Sequence, residues 1–158
     1  MTLRERLQAD TTAAMRSGDA LRRDVLRMAQ NAIYLVEKAK RVTLPEDDLI
    51  AILSREVKTR RESVDAFRAG CREDLVAKEE AEIAILADYL PEALDEKQIR
   101  ALVDEAVAAT GAANARDLGK VMSWLSPKTR GRADGKVVST LVAQALARAD
   151  LAAHDTAH

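Results

Sequence analysis

Apolar residues recur three and four positions apart along nearly the whole chain, with charged residues between them, as on one face of an α-helix. Thr2 followed by Glu5 reads as a capping box, and Leu3, Leu7, Ala14 and Met15 form a stripe that stops at Gly18. Asp19 caps a second segment with Leu21, Val25, Met28, Ala32 and Val36 at helical spacing. Thr43 with Glu46 reads as another capping box, with Pro45 tolerated in the first turn. Leu49, Leu53, Val57, Val64 and Phe67 carry this third segment to Gly70, a natural residue just past a helix end. A fourth runs from about Glu73 to Leu90 with Leu75, Val76, Ile83 and Leu86 inward, and Pro91 ends it.

Three shorter segments follow. Asp95 with Gln98 opens the fifth, where Ile99, Leu102, Val103, Ala106 and Val107 face a core until Gly111. Asn114 caps a sixth holding Leu118, Val121, Met122 and Leu125, closed by Pro127. Asp134 caps the seventh, with Val137, Val138, Leu141, Val142, Ala145 and Leu146. From about Asp150 the periodicity is lost, which predicts a frayed tail over 150–158. The break at Pro91 to Asp95 separates long, strongly charged helices from short ones. It predicts an N-terminal helical domain over 1–91 and a three-helix domain over 95–149. On the charged helices, i,i+4 pairs such as Glu56–Arg60 and Asp74–Lys78 each contribute only about 0.2–0.5 kcal/mol.

Composition agrees with an all-α fold. Of 158 residues 30 are Ala, against 6 Gly and 3 Pro, and aromatic residues make up only 3 %; strands favour the opposite mixture. A net charge of −1 excludes a bulk polycation, so affinity for nucleic acid requires a local patch. The single cysteine, Cys71, forms no internal disulfide. No apolar run approaches a membrane span, and the first turn lacks a signal-peptide core. These features predict a soluble, cytoplasmic protein without a membrane partner.

Enzyme chemistry finds little support. The histidines, His154 and His158, fall in the tail, where neither can be held in a triad or a metal site. Cys71 has no second cysteine or histidine at ligand spacing. No catalytic residue, cofactor or metal site is assigned. The run from Gly131 to Val137 resembles a phosphate-binding P-loop, but only three residues separate its glycines and Val137 follows Lys136. A P-loop requires four, then Ser or Thr after the lysine, and it follows a strand. Nucleotide hydrolysis is therefore rejected.

A basic cluster remains. Arg116, Lys120, Lys128, Arg130, Arg132 and Lys136 face only Asp117 and Asp134 in their stretch, a local net of +4. Gly131 and Gly135 permit close backbone approach, and the cluster ends where Asp134 opens a helix whose N-terminus favours an anion. This describes either a phosphate-backbone site or a charged turn with a glycine-assisted helix start. Trp124 reads as a stacking face or, as lone tryptophans more often are, as core. A second basic run, Arg55, Lys58, Arg60, Arg61, Arg68 and Arg72, is interleaved with Glu56, Glu62, Asp65, Glu73 and Asp74. A solvated, salt-bridged face accounts for it better than a nucleic-acid stripe does.

The stretch GKVMSWLSPKTRGRADGKVVSTLV, from Gly119 to Val142, is similar to the C-terminal tail of the B subunit of the glutamine-dependent tRNA amidotransferase. With LRERLQADTTAAMRSGD near the start and SREVKTRRESVDAFRAGCREDLVAKEEAEIAILADYLP in the middle, the chain resembles the small YqeY proteins from about residue 2 to 148. The resemblance implies a helical domain followed by a three-helix, tail-like domain. In the amidotransferase that tail is implicated in gripping tRNA away from the reacting end. Carried across, this points to Gly119, Lys120, Lys128, Arg130, Gly131, Arg132, Asp134 and Lys136. The chain lacks the catalytic cradle and the amidase subunit, so the family's carbon–nitrogen ligase label implies an association rather than activity of this chain alone.

Two functions are expected. One is a noncatalytic module that binds tRNA or another structured RNA through the basic cluster and is associated with tRNA-dependent amidation. The other is an adaptor that docks to an amidotransferase or an aminoacyl-tRNA synthetase without touching RNA.

Overall fold

The computed structural model describes residues 1–156, so that Ala157 and His158, the last two residues of the tail read as frayed, lie outside the described residues. Among the described residues there are seven α-helices and one 3₁₀ turn, with no strand. The helices are α1 (Leu3–Ser17), α2 (Ala20–Lys40), α3 (Glu46–Ala69), α4 (Glu73–Ala87), α5 (Glu96–Thr110), α6 (Leu118–Thr129) and α7 (Gly135–Thr156). The all-α expectation holds. The chain forms two compact units, Met1–Pro91 and Glu92–His158.

In the first unit, the capping box of α1 forms as the spacing predicts. The Thr2 hydroxyl accepts the Glu5 N–H at 3.2 Å, and the Glu5 carboxylate accepts the Thr2 N–H at 2.9 Å. Gly18 ends α1 at φ +76°, a left-handed conformation that glycine adopts without strain. The core joins Leu3 and Leu7 of α1, Leu26 and Ile33 of α2, Leu49, Leu53 and Val57 of α3, and Leu86 with Tyr89 at the end of α4.

Several expectations are corrected. Helix α2 turns Val25, Leu26, Ala29 and Ile33 inward, while Leu21 and Met28 stand exposed. The helix carries two apolar stripes, and periodicity alone does not choose between them. Met15 is also exposed; on α1 it is Thr11 that is buried, its hydroxyl donating to the Leu7 carbonyl at 2.7 Å. The Thr43–Glu46 capping box does not form: Pro45 is the N-cap of α3, without a side-chain hydrogen bond. At the far end of α3 the left-handed residue is Cys71, at φ +56°, and not Gly70, at φ −86°. Helix α4 stops at Ala87, short of Leu90, and Asp74 meets Arg72 instead of Lys78.

The second unit packs Ile99, Val103 and Ala106 of α5, Val121 and Leu125 of α6, and Val138, Val142 and Leu146 of α7 into one core. Asp95 and Gln98 form their capping box, and Gly111 ends α5 at φ +66°. Asn114 caps a 3₁₀ turn, Ala115–Asp117, which leads into α6. Pro127 does not close α6, which continues to Thr129. Bonds on either side of the missing N–H hold the last turn: the Thr129 hydroxyl donates to the Leu125 carbonyl at 3.2 Å, and the Arg130 N–H to Ser126 at 3.0 Å. The stretch from Asp150, expected to fray, continues α7 as helix to Thr156. Ala152 and Ala153 favour that continuation without any buried face.

Candidate nucleic-acid interface

The basic cluster is built on α6 and its link to α7. Lys120, Trp124 and Lys128 stand four apart, which puts them in one row along α6. Trp124 packs against the core of the second unit and is half-buried. The Lys128 ammonium lies over its ring, 4.3 Å from the centroid. Trp124 is thus partly in the core, as the second of its two readings expects, and one face of its ring lies against a cation of the chain itself. The i,i+4 spacing of Trp124 and Lys128 was the available clue to this pairing.

Arg130 follows as the C-cap residue of α6, exposed and without an ion pair among the described residues. Gly131 then takes φ +75°, a left-handed conformation that glycine adopts without strain. Arg132 is held more tightly. Its Nε donates to the Glu92 carbonyl at 3.1 Å, and its own carbonyl accepts the Leu94 N–H at 2.8 Å. These bonds fasten the segment before α5 to the α6–α7 link, which makes Arg132 a structural tie as well as a cation.

The start of α7 differs from an open anion site. The Asp134 carboxylate accepts the Lys136 N–H at 3.0 Å, so the helix N-terminus already holds a negative group of the chain's own. Lys136 itself is exposed. Neither Gly119 nor Gly135 is required by crowding or by a positive φ, since a Cβ at either would meet open space. Asp117, whose carboxylate accepts the Ala113 N–H at 2.8 Å, is held below the ordinary aspartate range chiefly by that bond, with Lys120 adding to it. The structure thus leaves Lys120, Lys128, Arg130 and Lys136 as outward cations, with no salt bridge among the described residues, and turns Arg132 and Asp134 to holding the link.

The second basic run, in the first unit, is largely neutralised. Arg68 pairs with Glu80 at 3.1 Å, and Arg72 takes both carboxylate oxygens of Asp74 at 3.1–3.2 Å. Arg60 is buried between Glu56 and Glu82, at 3.0 and 3.1 Å. Arg55, Lys58 and Arg61 are exposed along α3.

The model of the family described as Yqey-like protein matches residues 4–146. Relatives include a protein of Pyrenophora tritici-repentis named "Altered inheritance of mitochondria protein 41, mitochondrial". It is 32 % identical over 137 residues, covering 85 % of this chain and 75 % of the relative. A protein of the same name from Lachancea thermotolerans is 27 % identical over 143 residues, 86 % of this chain and 76 % of its own length. One from Saccharomyces cerevisiae is 33 % identical over 85 residues, covering 53 % and 46 %. These names correct the cytoplasmic expectation, because the relatives are mitochondrial proteins by name. An unpaired cysteine and a balanced net charge suit any thiol-reducing compartment and do not select the cytoplasm.

Proposed function

The chain belongs to the YqeY-like protein family, and we propose that it is a noncatalytic module that binds tRNA or another structured RNA through the α6–α7 link. One observation supports this reading above the others. Among the described residues Lys120, Lys128, Arg130 and Lys136 are exposed and make no salt bridge, and they cluster between the start of α6 and the first turn of α7. Unpaired cations gathered on one segment release counterions when they meet phosphates, and that release supplies affinity without reading sequence. Trp124 adds an aromatic surface beside Lys128, suited to an unstacked base in a loop.

The phosphate contacts fall to the side chains, because the α7 N-terminus is occupied by Asp134. Recognition would therefore rest on charge and shape, with an association to tRNA-dependent amidation as its setting. The test is fluorescence anisotropy with labelled total tRNA, comparing the wild type with Lys120/Lys128/Arg130/Lys136→Ala. The expected result is binding by the wild type and loss in the variant, with unchanged circular dichroism. Equal binding by both proteins would remove the link from consideration.

A further inference from the structure

From Ala20 to its C-cap Arg41, helix α2 carries six basic residues and two acidic ones, in a chain whose net charge is −1. Both carboxylates are engaged, Asp24 by Arg23 at 2.8 Å and Glu37 by Arg4. Arg22 is turned toward Asp88, at 3.8 Å. Arg27, Lys38 and Arg41 are exposed and make no ion pair among the described residues. Arg27 feels the Asp24 charge, but its own hydrogen bond goes to the Met15 sulfur at 3.4 Å, a weak and uncharged acceptor.

These cations share one row with an aromatic ring. Arg27, Tyr34, Lys38 and Arg41 follow one another at steps of seven, four and three, the spacing of a single helix face. At about 100° per residue, Arg27, Tyr34 and Lys38 fall within about 40° of one another, and the buried Val25, Leu26, Ala29 and Ile33 point at least about 80° away. Tyr34 is 56 % exposed, and none of the other three aromatic residues of the chain is exposed. The Lys38 ammonium stands 5.9 Å from its ring centroid, at the outer limit of a cation–π contact, so the ring face remains available. Arg41 ends the row at φ +55°, whereas glycine fills the left-handed caps of α1 and α5. A charge is thus kept at a position that glycine adopts more freely.

We infer that this row of α2 is a second RNA contact, one that takes an unpaired strand: Arg27, Lys38 and Arg41 hold phosphates, and Tyr34 stacks on a base. The row spans about 21 Å, at about 1.5 Å per residue, long enough for a polymer that repeats its charge. Cations along a backbone track with an exposed aromatic between them are what single-strand binding requires, since every base offers a face to stack. Two copies of the chain meeting here would oppose like charges. The exposed Leu21, Met28 and Leu35 stand in a different row, beside the buried Val25, so the cationic row has no apolar anchor for a bilayer. The site belongs to the first unit alone and goes beyond the proposed role of the α6–α7 link.

The test uses the full chain and a fluorescein-labelled oligouridine of about eight nucleotides, within the usual site size of a single-strand binder, across a salt series. The oligonucleotide should bind, and Tyr34→Ala should weaken it about tenfold, the usual loss of one stacked base. Tyr34→Phe, which keeps the ring, should recover that loss. Arg27/Lys38/Arg41→Gln, with unchanged circular dichroism, should flatten the log–log salt slope by about two, since each contact to a single strand contributes about 0.7. The same losses should appear in a chain that already carries Lys120/Lys128/Arg130/Lys136→Ala, so a failure of the link and a failure of α2 are seen separately. Absence of oligouridine binding, a slope that the Gln variant leaves unchanged, or losses that vanish in the link variant overturn the inference. So does equal affinity for polyglutamate of the same length, or partition onto vesicles of anionic phospholipid that the Gln variant abolishes while oligouridine binding persists.

Discussion

The Lys128 ammonium sits 4.3 Å above the ring centroid of Trp124, which joins the proposed phosphate-binding surface to the only tryptophan of the chain. A cation over an aromatic face at an exposed site is worth only about 0.5–1 kcal/mol, so a phosphate can draw it away. Structured RNA should therefore change Trp124 emission in a saturable titration. Lys128→Ala should alter the emission of the protein alone and greatly reduce the RNA-dependent change. Emission that RNA leaves untouched while binding is seen by another method would place the RNA away from α6.

The Glu46 carboxylate, on the first residue of α3, accepts the Leu3 N–H at 2.7 Å and so caps α1 from a distant part of the chain. Glu46→Ala should destabilise the first unit by about 1 kcal/mol, the usual worth of a helix cap. Thr43→Ala, which removes no cap, should be nearly neutral. Urea unfolding followed by circular dichroism separates the two; equal effects would return Glu46 to a local role.

Arg60, 6 % exposed, lies between Glu56 and Glu82 at the packing surface of α3 and α4. Removing one partner of a buried ion pair leaves a desolvated charge, and Glu82→Ala should cost about 3 kcal/mol. Replacing both residues, Arg60→Met with Glu82→Leu, should restore most of that loss. A double variant as unstable as the single one would mean that the pair contributes net stability.

Tyr89 is buried, donates its hydroxyl to Asp10 at 2.5 Å and accepts from Arg22 at 3.4 Å. Burial first, and the Asp10 carboxylate second, raise its pKa above the ordinary 10.0, against the opposing pull of Arg22. A raised folded-state pKa means stability that is fully present below pH 10 and is lost as pH climbs through the folded value. Tyr89→Phe should reduce stability at neutral pH by about 1 kcal/mol and flatten the decline above pH 10. Urea midpoints across pH 8 to 11 would show it. An unchanged alkaline slope in the variant would assign the decline to other groups.

Helix type and most helix ends could be read from sequence because they depend on local chemistry. The Thr2–Glu5 and Asp95–Gln98 boxes and the left-handed glycines at Gly18 and Gly111 are set by residues within one turn. What escaped reading depended on distant partners. Glu46 stands at the right spacing for Thr43, yet its carboxylate serves Leu3. Leu21 and Met28 have the same period as Leu26 and Ile33, and only the packing of the other helices decides which stripe is buried. At the basic link, the charge excess was visible as composition. The commitment of Arg132 to Glu92 and of Asp134 to the Lys136 N–H required the chain to be folded.

Four cations remain outward on α6 and its link to α7, and the slope of tRNA affinity against salt counts them. Four phosphate contacts, from Lys120, Lys128, Arg130 and Lys136, predict a log–log slope of about −3 to −4. Each Lys→Ala substitution among the four should reduce that slope by about one. A slope near zero, or one that these substitutions leave unchanged, would contradict RNA binding by the α6–α7 link.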